Sequence, residues 1–349
     1  MQVEDRVAEL HRHQNRRVGF SSRQTNLALE ILFIALIVSG LLSWLLPLDR
    51  AVFATVTHSI VGFAIVAVIP FKVRGPVRSG FRQRRFSRWV SAAFGVMVIS
   101  GIGLGVLHST GIWTETGFWT AMWTHLLLGF VSIPIFIWHV ASRRARPSRV
   151  DADRRFFLTG TIALAAGATA WGTQELVANL GGPAETQAGT GSHERASFDP
   201  VNMPSKRWID DRAPRGDLDA WDLRIEGNSL PVRDLAAMST PLLAWLDCTD
   251  GWRSQQEWNV VPLAALLSDE PGRSIVVTSS TGYRRLYARS DADEVYLCVG
   301  YNGEPLRRGH GAPVRIVAPN RRGPWWIKWV TDVELTDRPA WLQLPLPAT

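Results

Sequence analysis

The sequence predicts a membrane α-helical bundle of five transmembrane helices, followed by a mixed α+β domain that is rich in β-structure. Two observations support this division of the 349-residue chain. Long apolar stretches fill the first half, and short β-branched runs separated by turn residues fill the second. Charge divides in the same way, since residues 1–182 carry 19 Lys and Arg against 9 Asp and Glu, whereas residues 183–349 carry 19 against 22.

The first half contains five apolar stretches, each of about 20 residues, the length that crosses a bilayer. The predicted spans are 27–48, 51–71, 89–108, 118–141 and 156–177. Basic residues concentrate in the N-terminal tail and in two linkers at 72–88 and 142–155, while the alternate loops are almost uncharged. The positive-inside rule therefore places the N-terminus in the cytoplasm and the C-terminal half outside. Basic runs between apolar stretches indicate contact with a lipid bilayer and argue against nucleic acid as a partner.

Two of the membrane histidines, His58 and His125, are predicted to ligate haem iron. Ionisable side chains at membrane depth are costly and by default mark functional sites. Each of the two lies seven residues past the outer start of its apolar stretch, so both are expected about 10 Å below the outer surface. Gly62 and Gly129, one helical turn further on, leave room for a flat macrocycle. The pattern resembles four-helix haem b proteins, in which histidines from facing helices bind one haem.

Two further histidines are alternative iron ligands. His108 lies at the outer rim and is an alternative to either member of the pair. His139 lies near the inner surface, where it raises the alternative of a second haem b. The competing interpretation of all four histidines is hydrogen bonding between helices.

The fifth apolar stretch follows two adjacent arginines, Arg154 and Arg155, in the segment "DADRRFFLTGTIALAAGATAWG". Paired arginines ahead of a small-residue apolar stretch resemble a twin-arginine export signal, here in the middle of the chain. A plain positively charged flank that sets topology is the alternative.

The second half begins with residues 181–220, which are rich in Gly, Pro, Ser and charge. The early part of this segment predicts a linker in which His193 is solvated. From Trp221 onward, five runs predict strands: "WDLRIEG", "SIVVTSSTGY", "EVYLCVGYNG", "APVRIVAPN" and "WWIKWVTDVEL". One stretch, "PLAALLSD", is predicted to be helical. The two cysteines are too few for a disulfide scaffold and lack metal-finger spacing.

The segment "LDCTDGWRSQQEWNVVPLAALL" resembles the cysteine segment of the sulfite-oxidase family of molybdopterin enzymes. The segment "TGYRRLYARSDADEVYLCVGYNGEPLRRGHGAPVRIVAPNRRGPWWIKWVTDVEL" resembles the second half of that family almost continuously, with its Asn-Gly-Glu-Pro-Leu, His-Gly-x-Pro-x-Arg and Lys-Trp-Val motifs in order. The match covers about residues 221–336. The preceding helices resemble, more loosely, a bacterial haem b membrane subunit.

The resemblance implies a set of site residues. Cys248 stands at the position of the family's thiolate ligand to molybdenum, which suits a metal already bound to the sulfur of a pterin dithiolene; the alternative is a small buried hydrophobe. The resemblance also places Trp252 and Arg253 among the catalytic residues. The cofactor-binding residues it implies are His310, Arg315, Lys328 and Tyr283. Cys298 is expected in the core.

One departure from the family concerns the substrate. Sulfite-oxidising members carry arginines just after the cysteine segment, where only Arg253 stands here. Asp250 would repel an anionic substrate if it faced the metal. The segment resembles instead the periplasmic reductase branch, which reduces sulfoxides such as oxidised methionine with electrons from a membrane haem partner.

The resemblance implies a membrane-anchored molybdenum oxidoreductase of a bacterial cell membrane. Electrons would pass from membrane quinol through haem b to an extracytoplasmic molybdopterin site that reduces an S-oxide or N-oxide, such as free or protein-bound methionine sulfoxide. Oxidation of sulfite or a related substrate, with electrons delivered to the membrane, is the first alternative, and a non-catalytic redox sensor is the second. An internal twin-arginine signal fits this function, because the cofactor is inserted in the cytoplasm and that export route carries folded domains.

The predicted organisation has five parts. They are a cytoplasmic basic tail at 1–26, a four-helix haem b membrane domain at 27–150, a twin-arginine-like segment with the fifth helix at 151–180, a linker and domain entry at 181–220, and a molybdopterin-binding oxidoreductase domain at 221–349.

Overall fold

The computed structural model describes residues 20–78, 86–116, 119–142, 148, 151–180, 188–206 and 211–343. Most of the basic tail, the central parts of both basic linkers and the start of the predicted 181–220 linker lie outside these residues. The described part of the chain divides into two compact units, which are taken separately below.

Five described helices are long and apolar enough to cross a membrane, which confirms the predicted number of spans. They are α1 (Ser22–Leu45), α2 (Leu48–Arg78), α3 (Phe86–Ser109), α4 (Ala121–Ala141) and α5 (Arg154–Leu180). Mean hydropathy falls from 2.2 in α1 to 1.2 in α5. The fifth span is therefore the least apolar, as its Ala- and Gly-rich sequence predicts.

The first unit comprises Met1–Val38, Thr57–Val106 and Thr124–Val177, and holds most of the helical bundle. Two of its helices approach closely at a small residue, as membrane helices do. A Cβ at Gly167 of α5 would overlap the carbonyl oxygen of Ile60 and lie 3.0 Å from the backbone nitrogen of Ala64, both on α2. These two helices therefore pack backbone to backbone.

Helix α5 begins two residues earlier than the predicted span, so that both arginines lie in its first turn. The Oδ1 of Asp153 accepts a hydrogen bond of 2.8 Å from the backbone N–H of Phe156, which is an N-cap contact. The same carboxylate oxygen accepts a bond of 2.9 Å from the side-chain amide of Gln24. Arg154 and Arg155 are exposed.

The second unit comprises Ser39–Val56, Leu107–Trp123 and Ala178–Thr349. Its strands are β1 (Glu115–Thr116), β2 (Trp119–Thr120), β3 (His193–Glu194), β4 (Arg224–Ile225), β5 (Asn228–Ser229), β6 (Thr240–Cys248), β7 (Trp252–Pro262), β8 (Ser274–Ser279), β9 (Arg284–Ala288), β10 (Tyr296–Tyr301), β11 (Glu304–Pro305), β12 (Arg315–Val317) and β13 (Val330–Thr336). Strands β1 and β2 pair with each other. A six-stranded sheet runs β11-β10-β7-β3, with β12 on β10 and β6 on β7, and a five-stranded sheet runs β5-β4-β13-β8-β9. Both sheets contribute to one hydrophobic core, which confirms the β-rich fold.

Two local predictions differ from the structure, and one helix was not predicted. The predicted helix "PLAALLSD" is only a short 3₁₀ turn at Leu263–Ala265, and a helix not predicted, α6, spans Val232–Ala237. The prediction that His193 is solvated in a linker is wrong, because β3 pairs in parallel with β7, with His193 opposite Trp252. The polar segment around β3 is ordered because its backbone pairs with β7 and forms an edge strand of the six-stranded sheet.

Candidate molybdenum and haem sites

Cys248 lies at the tip of a long β-hairpin. Strands β6 and β7 pair in antiparallel register from Thr240 opposite Val260 to Cys248 opposite Trp252. The three residues between them form a tight turn in which the N–H of Gly251 donates to the carbonyl of Cys248 at 3.0 Å. Gly251 has φ of +89°, a left-handed conformation that is usual at the last position of three-residue hairpin loops and is favoured by glycine. The Asp-Gly dipeptide thus fixes where the hairpin turns and where the thiol stands.

A buried ion pair holds the residue before the thiol. Asp247 and Arg322 have side chains that are 3% and 6% exposed and lie 3.1 Å apart. The carboxylate also accepts hydrogen bonds from the hydroxyls of Thr190 at 2.5 Å and Ser192 at 2.8 Å. Buried charge is tolerated only when it is paired and hydrogen-bonded in this way. Sequence reasoning missed both ion-pair members, because they lie 75 positions apart and share no motif.

The short turn at Gly323–Trp325 packs against the backbone of Cys248. A Cβ at Gly323 would lie only 3.3 Å from the Cα of Cys248. Tyr283, predicted to bind cofactor, donates its hydroxyl to the carbonyl of Pro324 at 2.5 Å. Its observed contact therefore braces the turn beside the cysteine, and cofactor contact stays a prediction.

The thiol of Cys248 is half-buried and forms no disulfide. Burial, and next the nearby Asp250 carboxylate, raise the pKa of Cys248 to about 12. The thiol is therefore neutral at physiological pH, and a metal must displace its proton to bind. Cys298, in contrast, is fully buried, with its sulfur 3.1 Å from the carbonyl of Gly300, as expected for a core cysteine.

Trp252 and Arg253, the two residues near Cys248 that are predicted to be catalytic, lie on opposite faces of the hairpin. Trp252 is buried and pairs directly with Cys248, and paired residues of a hairpin share a face. Arg253 pairs with Asp247, so the pleat directs it to the other face, where its guanidinium carbon lies 4.4 Å above the ring of Trp245. The structure therefore brings Trp252 to the thiol side of the hairpin and Arg253 to the opposite side.

The Asp250 side chain in the turn lies between two partners. Its carboxylate is 3.1 Å from the Nζ of Lys206 and accepts a hydrogen bond of 3.1 Å from the hydroxyl of Thr120. The expected repulsion of an anion by Asp250 is therefore reduced by a paired cation.

The residues expected to bind the pterin phosphate do cluster. The carbonyl of His310 accepts a bond of 2.8 Å from the Nη1 of Arg315, and the Nζ of Lys328 donates to the carbonyl of Gly309 at 2.6 Å. Lys328 also donates to the carbonyl of Lys206 at 2.6 Å. This third contact joins the cluster to the residue that pairs with Asp250.

The polar groups of His310 and Arg315 are engaged within the protein. His310 bonds the hydroxyl of Tyr301 at 2.9 Å and the carbonyl of Met203 at 3.1 Å through its two ring nitrogens. Burial, and next the charge of Arg315, lower the pKa of His310 to about 4, so the ring is neutral. Burial also lowers the pKa of Arg315 to about 10. A phosphate would have to replace some of these contacts, so phosphate binding here stays a prediction.

Within the first unit, His58 of α2 and His125 of α4 lie together, with ring centroids 5.8 Å apart. The Nδ1 of His58 is 2.8 Å from the carbonyl of Leu36, and the Nδ1 of His125 is 2.7 Å from the carbonyl of Gly101. Because a carbonyl can only accept, each Nδ1 carries the proton and each Nε2 keeps its lone pair, which is the arrangement that metal-ligating histidines adopt. A Cβ at Gly129 would meet nothing within 4 Å. The donor set fits bis-histidine ligation of haem.

The other two membrane histidines have different surroundings. His139 contacts the hydroxyl of Ser91 at 3.1 Å and stacks on Phe94, with ring centroids 5.9 Å apart. These contacts favour hydrogen bonding between helices over a second haem. His108 belongs to the second unit, where its ring lies 5.1 Å from that of His193. Across the described residues, no group of three or more His, Cys, Asp or Glu side chains forms a metal site.

Comparison with known proteins identifies the C-terminal part. Residues 211–342 match the family described as the oxidoreductase molybdopterin binding domain, which confirms the resemblance read from the sequence. Solved structures that match include the sulfane dehydrogenase SoxCD from Paracoccus pantotrophus, with 25% identity and a TM-score of 0.34. This similarity covers 37% of the present chain and 41% of that chain, so the alignment spans less than half of either. No curated protein matches the chain.

Proposed function

We propose that this chain is a membrane-anchored molybdenum oxidoreductase, because an oxidoreductase molybdopterin binding domain follows five membrane-spanning helices. In this proposal the enzyme takes electrons from membrane quinol and passes them through haem b to the molybdenum site. There it reduces an S-oxide or N-oxide such as methionine sulfoxide. The observation that carries the proposal is the half-buried thiol of Cys248 at a fixed hairpin tip inside the matched domain. The overall reaction balances, since quinol yields two electrons and two protons, and the S-oxide consumes both to give a thioether and water.

The residues around Cys248 fit a molybdenum–pterin group by the chemistry of their donors. A soft thiolate suits a high-valent metal that is already bound to sulfur. The Asp247–Arg322 pair immobilises the backbone that carries this ligand, and both Arg322 and Ser192 donate to the carbonyl of Cys248, at 3.4 Å and 3.3 Å. When bound, molybdenum supplies two-electron oxygen-atom transfer. The protein's own contribution is to hold the thiol and the substrate in a fixed geometry.

Haem b binding by His58 and His125 rests on their ring separation and on their hydrogen-bonded Nδ1 atoms. A haem supplies one-electron transfer, which links a two-electron quinol to a two-electron metal site. Imidazole Nε2 atoms on facing helices are the ligands expected of such a group.

The proposed topology has the N-terminus in the cytoplasm and the molybdenum site outside a bacterial cell membrane. The α1–α2 and α3–α4 connections, which are almost uncharged, belong to the same compact unit as both sheets, and this supports a common side for all of them. Arg154 and Arg155 are exposed in the first turn of α5, directly before the apolar part of the last span, which is where an export receptor would read them. Export of the folded domain by a twin-arginine route is part of the proposal.

The proposal is tested on the purified full-length protein. We expect about one molybdenum per chain by metal analysis, a low-spin haem b optical spectrum, and reduction of methionine sulfoxide with a reduced dye. Cys248→Ser should abolish turnover and leave the haem spectrum intact, because the ligand acts locally. Cys298→Ser is the matched control and should retain turnover.

Three results would each refute a different part of the proposal. Oxidation of sulfite without reduction of any S-oxide would reverse the proposed direction of electron flow. Absence of molybdenum from a folded, haem-containing protein would refute the oxidoreductase and leave a redox sensor. Full activity of Cys248→Ser would refute the metal ligand.

A further inference from the structure

The turn that follows Cys248 is in contact with the segment from Leu107 to Trp123, which consists of the end of α3, the residues between the two helices and the start of α4, and which is called the α3–α4 connection below. Residues 107–123 lie in the same compact unit as the hairpin. Two side chains of this connection reach the turn, and both are almost fully buried: His108 is 2% exposed and Thr120 is 5% exposed. Neither has a role in the proposed reaction so far.

Thr120 joins the start of α4 to the turn. Its hydroxyl oxygen accepts the backbone N–H of Trp123 at 2.9 Å, which caps the helix, and its hydroxyl hydrogen is donated to the Oδ1 of Asp250 at 3.1 Å. The Thr120 hydroxyl therefore accepts a hydrogen bond from the first turn of α4 and also holds Asp250, the second residue after Cys248. Lys206 forms an ion pair with the other carboxylate oxygen of Asp250 and further restrains this side chain.

His108 packs on the next residue of the turn. A Cβ at Gly251 would overlap the imidazole ring of His108, so the ring lies directly over the glycine Cα. The carbonyl of His108 accepts the Nε2–H of His193 at 2.8 Å, and the backbone N–H of His193 donates to the carbonyl of Gly251 at 3.0 Å. Ring packing and this chain of hydrogen bonds fix the same residue from two directions.

A third contact ties the connection to the hairpin further along. The Nη2 of Arg195 donates to the hydroxyl of Thr114 at 3.1 Å, while its backbone N–H donates to the carbonyl of Arg253 at 2.8 Å. The α3–α4 connection is thus attached to the hairpin end at three separate points. Such repeated attachment is what a precisely oriented ligand requires, since its supporting partners set its geometry.

We propose that Thr120 and His108 are positioning residues of the molybdenum site, which hold the turn after Cys248 and so set the orientation of its thiolate toward the metal. This inference rests on the proposed function of Cys248 and adds that the site is completed by the α3–α4 connection, which lies outside the matched domain. Neither residue is required to touch the metal or the substrate.

The test uses paired variants of the full-length, cofactor-loaded protein. Thr120→Val removes the hydroxyl at constant shape, and Thr120→Ser restores it. His108→Ala removes the ring over the glycine, and His108→Phe keeps a ring of similar width. Thr161→Val is the matched control, because the hydroxyl of that exposed threonine bonds only the preceding turn of α5 among the contacts of the described residues.

We expect Thr120→Val and His108→Ala to lower kcat about 10- to 100-fold with KM unchanged, as loss of a supporting contact does. Both should also shift the g-values of the molybdenum(V) electron paramagnetic resonance signal, because these depend on the torsion of the coordinated thiolate. Thr120→Ser, His108→Phe and Thr161→Val should keep the parent spectrum and kcat. Loss of molybdenum in the first two variants, with haem retained, would also support the inference.

Two results would overturn the inference in distinguishable ways. Unchanged g-values and kcat in both Thr120→Val and His108→Ala, in a parent protein that binds molybdenum, would refute the positioning role alone. A folded parent protein that contains no molybdenum would refute the proposed function and this inference together. The haem spectrum of each variant shows that the bundle has folded.

Discussion

Arg322→Met should destabilise the second unit strongly and release molybdenum while leaving haem bound. Arg322 and Asp247 are almost fully buried and 3.1 Å apart. Removal of one member of a buried ion pair typically costs about 3–5 kcal/mol, because the remaining charge keeps its desolvation penalty. In a unit of this size, each kcal/mol corresponds to a change in Tm of about 2–4 °C. The expected decrease in Tm is therefore about 6–20 °C.

The measurement is thermal unfolding in detergent, followed by tryptophan fluorescence, with molybdenum content and the haem spectrum recorded on the same sample. The double variant with Asp247→Leu should recover part of the loss, since no buried charge remains, and the coupling free energy between the two substitutions should be about 0.5–3 kcal/mol. Arg224→Met, which removes the exposed partner of Asp222, is the control and should leave Tm unchanged. Additive effects of the two buried substitutions would show that the pair does not act as a unit.

Two further predictions concern the membrane half. His58→Ala and His125→Ala should each remove the low-spin haem spectrum, because bis-histidine ligation needs both, whereas His139→Ala should leave most of it; the opposite pattern in the optical spectrum would refute the pairing. The double variant Arg154→Lys, Arg155→Lys keeps the positive charge but loses the guanidinium geometry that a twin-arginine receptor reads. We expect it to bind haem and to leave the C-terminal domain inaccessible to protease in spheroplasts, and parental accessibility would reduce the arginines to ordinary topology charges.

The membrane helices could be predicted because their signal is local. A run of about 20 apolar residues suffices for a span, whatever surrounds it. The boundary at α5 shows the limit of that signal, because an apolar count ignores the Asp153 cap that starts the helix at Arg154. The Asp residue before the arginines is itself a cap signal that hydropathy does not record.

The β6–β7 hairpin was not predicted as a pair of strands, and its buried polar residues explain why. Along β7 the inward positions include Ser254 and Gln256, so the alternation of apolar residues that marks a strand is interrupted. Both side chains donate to the carbonyl of Ala196, at 3.1 Å and 2.8 Å. Their burial depends on a segment about sixty residues earlier in the chain, which no local pattern contains.

The same reasoning applies to the site. The position of Cys248 followed from a motif, but the groups that hold it are distant in sequence. The Asp247–Arg322 pair spans 75 positions and the Thr120–Asp250 bond spans 130. The residue type at a motif position therefore predicts the metal ligand but not the side chains around it. Asp250 is an example, because its sequence position does not indicate that Thr120 and Lys206 are its partners.

The charges beside the thiol bear on the substrate. Each carboxylate that flanks Cys248 is matched by one cation, Asp247 by Arg322 and Asp250 by Lys206, so these four groups together are neutral. The arginine expected to bind an oxyanion stands on the other face of the hairpin, above a tryptophan ring. In the turn after Cys248, the Asp250–Lys206 pair has no net charge, so it supplies no positive charge to offset the hydration that an anionic substrate such as sulfite would lose. A neutral S-oxide carries no such cost and needs only hydrogen-bond donors for its oxygen, and this difference is the reason for proposing an S-oxide as the substrate in place of sulfite.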